Sequence, residues 1–160
     1  MATAYIETTI PSYYVARPSN SLSHAAKQSN TQVWWDAGCS GFELFTSLET
    51  LDEASKGDKE MSADRLALLD SIPLLTMTDA ALSLAATLVS KQIVPQKAAS
   101  DSLHIAVASV HGMNYLVTWN FKHIANPFLR DRLRTEVTDA GFEMPVMCSP
   151  EELLQNDEDD

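Results

Sequence analysis

Apolar and polar positions along the chain fall into short runs and longer helical periods. The first apolar stretch, Ala4 to Ile6, ends in Glu7-Thr8-Thr9 and the turn-forming Pro11-Ser12, which predicts a short buried strand followed by a loop. A helical period runs from about Ser21 to Asp36 and is closed by Gly38, and Phe42 to Thr46 reads as a second strand. Ser47 then stands as the N-cap of a helix reaching Gly57, another helix covers about Ser62 to Ser71, and Leu74 to Met77 reads as a third strand. Thr78 opens a strongly helical run to about Gln92, Pro95 interrupts it, and a helix from about Ala98 to Val110 stops at Gly112. Tyr115 to Thr118 reads as a fourth strand. Pro127 at a first helical position starts a helix ending at Gly141, and Val146 to Cys148 is a candidate fifth strand.

Strands that alternate with helices predict an α/β domain whose central, mainly parallel sheet is covered on both faces. The 160 residues, 45% of them hydrophobic, are enough for one domain with a full core. Its expected extent is residues 1–150, with an acidic C-terminal tail over 151–160. No internal repeat is present and no linker precedes the tail.

Charge narrows the partners. The net charge is −11, but six acids lie in the last ten residues with no base among them, so the body carries about −5. That argues against a broad basic surface for duplex nucleic acid; a phosphate-bearing substrate needs a local cluster of bases or a metal ion. The opening MATAYIETTI has no basic leader region, and nowhere do about eighteen apolar residues run together, so no membrane association is expected. Cys39 and Cys148 are isolated and fit neither a disulfide framework nor zinc spacing, consistent with a cytoplasmic protein.

In sheets of this kind the chemistry lies beyond the carboxyl ends of the strands. There the sequence places Glu7, Thr8 and Thr9 after the first strand, Asp52 and Glu53 in the helix after the second, and Thr118, Trp119 and Asn120 after the fourth. Asp101, in SDSLHIAVASV, precedes Ile105 by four and Ala108 by seven and so lies on their apolar stripe. A carboxylate there needs a cation, a hydrogen-bonded partner or a proton; the plainer alternative is a helix-start acid bonded to backbone N–H groups. For Glu7 the plain alternative is a loop glutamate, and for Glu49, Asp52 and Glu53 a solvated helix face. Converging carboxylates without matching bases repel one another, a cost that a hard divalent cation removes, and oxygen ligands favour magnesium or manganese.

YIETTIPSYY, TSLETLDEASKGD, DSLHIAVA and YLVTWNFKHI together resemble the four acidic motifs of the PIN domain, the ribonuclease fold used by VapC-type toxins of bacterial toxin–antitoxin pairs. The resemblance extends to about residue 150. It aligns Glu7 with the usual first-strand aspartate, Glu53 with the second acid, Asp101 with the third and Asn120 with a usual fourth aspartate, 46, 48 and 19 residues apart. It implies Mg2+ or Mn2+ held by Glu7, Glu53 and Asp101, RNA as substrate, hydrolysis of its phosphodiester bonds, and an antitoxin as protein partner, and it leaves a homodimer open. Glutamate at position 7 and asparagine at 120 depart from the pattern, so the alternative is a catalytically weak or inactive PIN-like binding or regulatory module.

Among the remaining residues, Arg17, Lys56 and Lys122, with His123, are the bases expected near the acidic pocket and candidates for phosphate contacts, with solvated surface as the alternative. Tyr13 and Tyr14 are candidates for stacking on single-stranded RNA bases. His104 is expected on the helix surface, with a supporting place beside Asp101 as the alternative. Trp34 and Trp35 are expected to bury core or interface area.

Overall fold

The computed structural model describes residues 1–154. Five parallel strands form one sheet, β1 (Ala2–Ile6), β2 (Phe42–Ser47), β3 (Leu74–Leu75), β4 (Tyr115–Val117) and β5 (Val146–Cys148), in the order β3-β2-β1-β4-β5. Seven α-helices cover it: α1 (Thr9–Val15), α2 (Leu22–Val33), α3 (Leu48–Ala54), α4 (Lys59–Leu69), α5 (Asp79–Ser90), α6 (Ala99–Val110) and α7 (Arg130–Asp139). The result is the α/β architecture expected, a PIN-like sheet flanked by helices. Among the described residues no helix is long and apolar enough to cross a membrane.

Strand β1 shows why the sheet is central. Tyr5 belongs to the core on one face, and Ala4 and Ile6 to the core on the other. Alternate side chains of a strand point to opposite faces, so a continuous apolar run fits a strand buried on both. Its neighbours are β2, with Tyr5 opposite Phe45, and β4, with Ile6 opposite Val117. The first connection leads from β1 by way of α1 and α2 to β2 on one side. Strand β4 lies on the other, so the carboxyl ends of β1 and β4 flank a topological switch point, where open parallel sheets leave a crevice.

Helix α6 is the central helix of one layer. Ser102 and the run from His104 to Ser109 are buried, and α5 packs along it through Ala81, Leu84, Ala85 and Leu88. Its small residues, Ala106, Ala108 and Ser109, let the neighbouring helix and sheet approach closely. Gly112, at φ +69, turns the chain out of α6 toward β4, as its sequence position suggests.

Three segments differ from the sequence-based expectation. The loop expected at Pro11-Ser12 is helix α1: Pro11 sits in its first turn, where its missing N–H would have no partner anyway. The third strand is two residues rather than four, because only Thr46 and Ser47 of β2 pair with it. Helix α7 starts three residues beyond Pro127, since Asn126 Oδ1 accepts from Phe128 N and holds a turn there. Helix α2 does run on toward Gly38, but as a π-helical turn over Trp34–Gly38. Past residue 150 the chain forms a short 3-10 turn, Glu151–Leu153, with Leu153 and Leu154 against the core; the expected tail from 155 onward lies outside the described residues.

Candidate functional site

Glu7 leaves β1 at the crevice and is buried, 3% exposed. Its Oε2 accepts from Thr9 N at 3.0 Å, Thr9 Oγ1 at 2.5 Å and Thr118 Oγ1 at 2.8 Å. Both hydroxyls are themselves hydrogen-bonded by backbone amides leaving β4, Trp119 N to Thr9 Oγ1 and Asn120 N to Thr118 Oγ1. A backbone N–H can only donate, so each hydroxyl accepts there and directs its own hydrogen to Glu7. The ends of β1 and β4 are thereby joined through one carboxylate oxygen. Burial pushes the Glu7 carboxyl above the usual carboxylate range, against the opposing pull of the His104 charge and the Thr9 and Thr118 bonds.

Glu53, on α3, lies beside it. Thr8 Oγ1, next in sequence to Glu7, donates to Glu53 Oε1 at 2.6 Å, and His104 Nε2 on α6 lies 2.5 Å from the same oxygen. Glu53 Oε2 is 2.9 Å from Ser100 Oγ, which is also 2.7 Å from Glu49 Oε1, so one hydroxyl proton serves two carboxylates of adjacent helix turns. Burial resists ionisation of Glu53, but the His104 bond and charge, with the Thr8 and Ser100 bonds, outweigh it and hold the carboxyl down to about 2.

His104 is fully buried, which overturns its expected place on the helix surface. Its other ring nitrogen, Nδ1, is 2.7 Å from the Tyr5 hydroxyl, which lies 2.7 Å from Ser47 Oγ and 3.2 Å from Thr50 Oγ1. Burial disfavours the imidazolium, yet Tyr5, Glu53 and Glu7 together raise its pKa well above the ordinary histidine value. As a cation it donates from both nitrogens, to Glu53 and to the Tyr5 oxygen, leaving the Tyr5 proton for Ser47 or Thr50. Ser47 occupies the N-cap position of α3 as its sequence suggests, but makes no side-chain cap bond; its hydroxyl serves Tyr5 instead.

Asp101 and Asn120 form a second group. Asp101 sits in the first turn of α6, and its Oδ2 meets His123 Nδ1 at 3.1 Å, with the two side chains 16% and 17% exposed. Of the two sequence alternatives the partnered acid holds: the Asp101 carboxylate meets the His123 ring rather than backbone N–H groups at the helix start. Asn120 Oδ1 accepts from His123 N at 3.0 Å, so the amide carbonyl holds the turn that carries His123 rather than facing outward. His123 is the link between these two positions.

The expected bases are spread out. Lys56 is exposed and paired with Asp52 at 3.4 Å, and Lys122 is exposed with no ion pair among the described residues. Tyr13 and Arg17 line a separate cavity of about 260 Å³ with His24 and Gln28. Tyr14 is tied to Asp36, its hydroxyl 2.7 Å from Oδ1. Trp34 is fully buried, as expected, and Trp35 packs against the same core.

Ser100, Thr118 and Tyr5 join the site through contacts that local sequence pattern does not assign. A tyrosine in a strand buried on both faces, and a histidine inside an apolar helical run, both need polar partners, and each supplies the other's. Residues 5 and 104 are far apart in sequence, so only the tertiary contact shows it.

A magnesium or manganese ion tests poorly against these side chains as placed. Glu7 Oε2 and both oxygens of Glu53 are met by internal donors, and Asp101 is engaged by His123. Among the described residues no three His, Cys, Asp or Glu side chains are grouped to hold a metal ion.

No protein-family model and no curated protein matches the chain. Among solved structures it is similar to the crystal structure of VapBC2 from Rickettsia felis bound to a DNA fragment from their promoter, with a TM-score of 0.54 and 14% identity over 92% of this chain and 98% of that one. At that identity the likeness is one of fold.

Proposed function

We propose that the chain is a PIN-like hydrolase of RNA phosphodiester bonds, of the VapC toxin type and working with an antitoxin partner, with Glu7, Glu53, Asp101 and Asn120 at its site. The observation that carries this reading is the Glu7 carboxylate at the β1/β4 crevice, bonded by Thr118 across it and joined through adjacent Thr8 to Glu53. The fold likeness to VapBC2 and the four motifs in their expected order support it.

The residues suggest a division of labour. In the Glu53–His104 pair the histidine is wholly buried and fixed through its other nitrogen by Tyr5, while the Glu53 side chain is 27% exposed. The Asp101–His123 pair is partly open to solvent: with His123 Nδ1–H donated to Asp101, its Nε2 is left to accept or return a proton, the arrangement required of a general base or acid. The divalent ion that the resemblance implies does not fit the carboxylates in their present hydrogen bonds, and no step of this reading passes through it.

The test is cleavage of single-stranded RNA by the wild type, Asp101→Asn and His123→Gln, each with Mn2+ and with a chelator. Cleavage by the wild type, slowed about 100-fold or more in both variants, is expected. Absence of cleavage under all conditions overturns the hydrolase reading. The internal donors that occupy Glu7 and Glu53 favour a second reading, an inactive PIN-like binding module, which RNA binding without cleavage would select.

A further inference from the structure

We propose that the cavity between α1 and the start of α2, together with the aromatic rings beside it, is a subsite for one nucleotide of single-stranded RNA, its base stacked on the rings and its phosphate met by Arg17 and Lys27. The proposal rests on the RNA reading above and names where such a strand is held.

Three observations converge. First, Lys27 Nζ lies 5.8 Å from the Tyr13 ring centre, 5.7 Å from that of Trp119 and 5.7 Å from that of Phe121. These rings meet edge to face, Tyr13 with Trp119 at 6.0 Å and Trp119 with Phe121 at 5.9 Å, and Phe121 is 44% exposed. An exposed aromatic in a supported cluster offers a π-face to any base.

Second, the neighbouring cavity of about 260 Å³ is lined by Tyr13, Arg17 and His24. Arg17, His24 and Lys27 take part in no ion pair among the described residues. In a chain with twice as many acids as bases, unpaired basic side chains gathered around aromatic rings are the local cluster that a phosphate-bearing ligand requires.

Third, the platform is built rigidly and borders the candidate site. The Gln28 amide donates to Ala16 O, and Gln32 Nε2 donates to Tyr14 O at 3.1 Å, tying the end of α1 to α2. Trp119 Nε1 donates to Thr31 Oγ1 at 2.8 Å, while Trp119 N donates to Thr9 Oγ1, the hydroxyl that bonds Glu7. The aromatic cluster therefore starts two hydrogen bonds away from the Glu7 carboxylate, with Thr9 Oγ1 between them. A strand stacked here would be led to the crevice between β1 and β4.

The experiment measures binding of a short fluorescein-labelled single-stranded RNA by anisotropy, in the full chain carrying Asp101→Asn so that cleavage does not interfere. Phe121→Ala is expected to weaken binding about tenfold. Arg17→Gln and Lys27→Gln should each weaken it several-fold and lower the salt slope by about one. Arg132→Gln, an equal charge change on α7, should leave it unchanged, and melting temperatures identify any variant that has lost its fold. Binding that falls as much in Arg132→Gln as in Arg17→Gln, or that is insensitive to Phe121→Ala, overturns the subsite. So does a poly-glutamate peptide that binds the wild type while RNA does not. Failure of RNA cleavage leaves this binding result standing, so the two readings fail separately.

Discussion

His104 Nε2 and Glu53 Oε1 lie 2.5 Å apart, joining α6 to α3 in a contact whose histidine is wholly buried. Because the same ring reaches Tyr5 through Nδ1, one side chain holds two helices and the central strand in register.

Removing that side chain strands two partners at once. His104→Ala is expected to destabilise the protein by about 3 kcal/mol, since Glu53 keeps its charge without the cation and Tyr5 loses a partner. His104→Gln, which keeps one donor and one acceptor, should lose less. Urea denaturation measures both, and equal losses would show that packing rather than hydrogen bonding sets the cost.

The same pair predicts how stability follows pH. Glu53 titrates at about 2 in the fold against an ordinary value of 4.5, so its contribution is complete above 4.5 and is lost as pH falls through about 2. His104 is raised, so its contribution is complete below 6.5 and is lost as pH rises through its higher folded value. Thermal melting across pH should show both limbs, and His104→Gln should remove the alkaline one.

Glu7 carries the opposite sign. Its folded pKa is raised, so ionisation costs stability at pH values above its folded pKa and nothing well below 4.5. Glu7→Gln, whose amide oxygen can accept from Thr9 and Thr118, is expected to melt with the wild type in acid and above it at neutral pH. A variant that melts lower at neutral pH would mean that the charge itself holds the strand ends together.

Asn120 acts through its carbonyl on the turn that carries His123. Asn120→Asp preserves that acceptor and should change stability by no more than about 0.5 kcal/mol, while Asn120→Ala should cost about 1 kcal/mol. Chemical denaturation separates them; a large effect of Asn120→Asp would place the residue among the acids instead.

Two glycines three residues apart should respond differently to alanine. A Cβ at Gly38 would come within 2.8 Å of Trp34 Cδ1, whereas at Gly41 nothing lies within 4 Å. Trp34 is fully buried and cannot move aside, so Gly38→Ala is expected to cost about 1–3 kcal/mol and Gly41→Ala almost nothing, read from the urea midpoint.

The sequence by itself determined the alternation of strands and helices, the parallel sheet and the positions of the strand ends. These depend on local periodicity, caps and breakers, which act over a few residues: Thr78 caps α5 and Gly112 ends α6 where the sequence places them. It also placed Glu7 and Asn120 at the same end of the sheet, because the carboxyl ends of the strands in a parallel sheet share one side.

Tertiary structure decided what those residues touch. Burial of His104 beside Tyr5, the Thr118 bond to Glu7 and the pairing of Asp101 with His123 join positions separated by up to 111 residues. No local rule assigns a hydrogen bond across that separation. A buried polar atom takes whichever partner the packed neighbours present, and that choice exists only once α6, α3 and the two strand ends have come together.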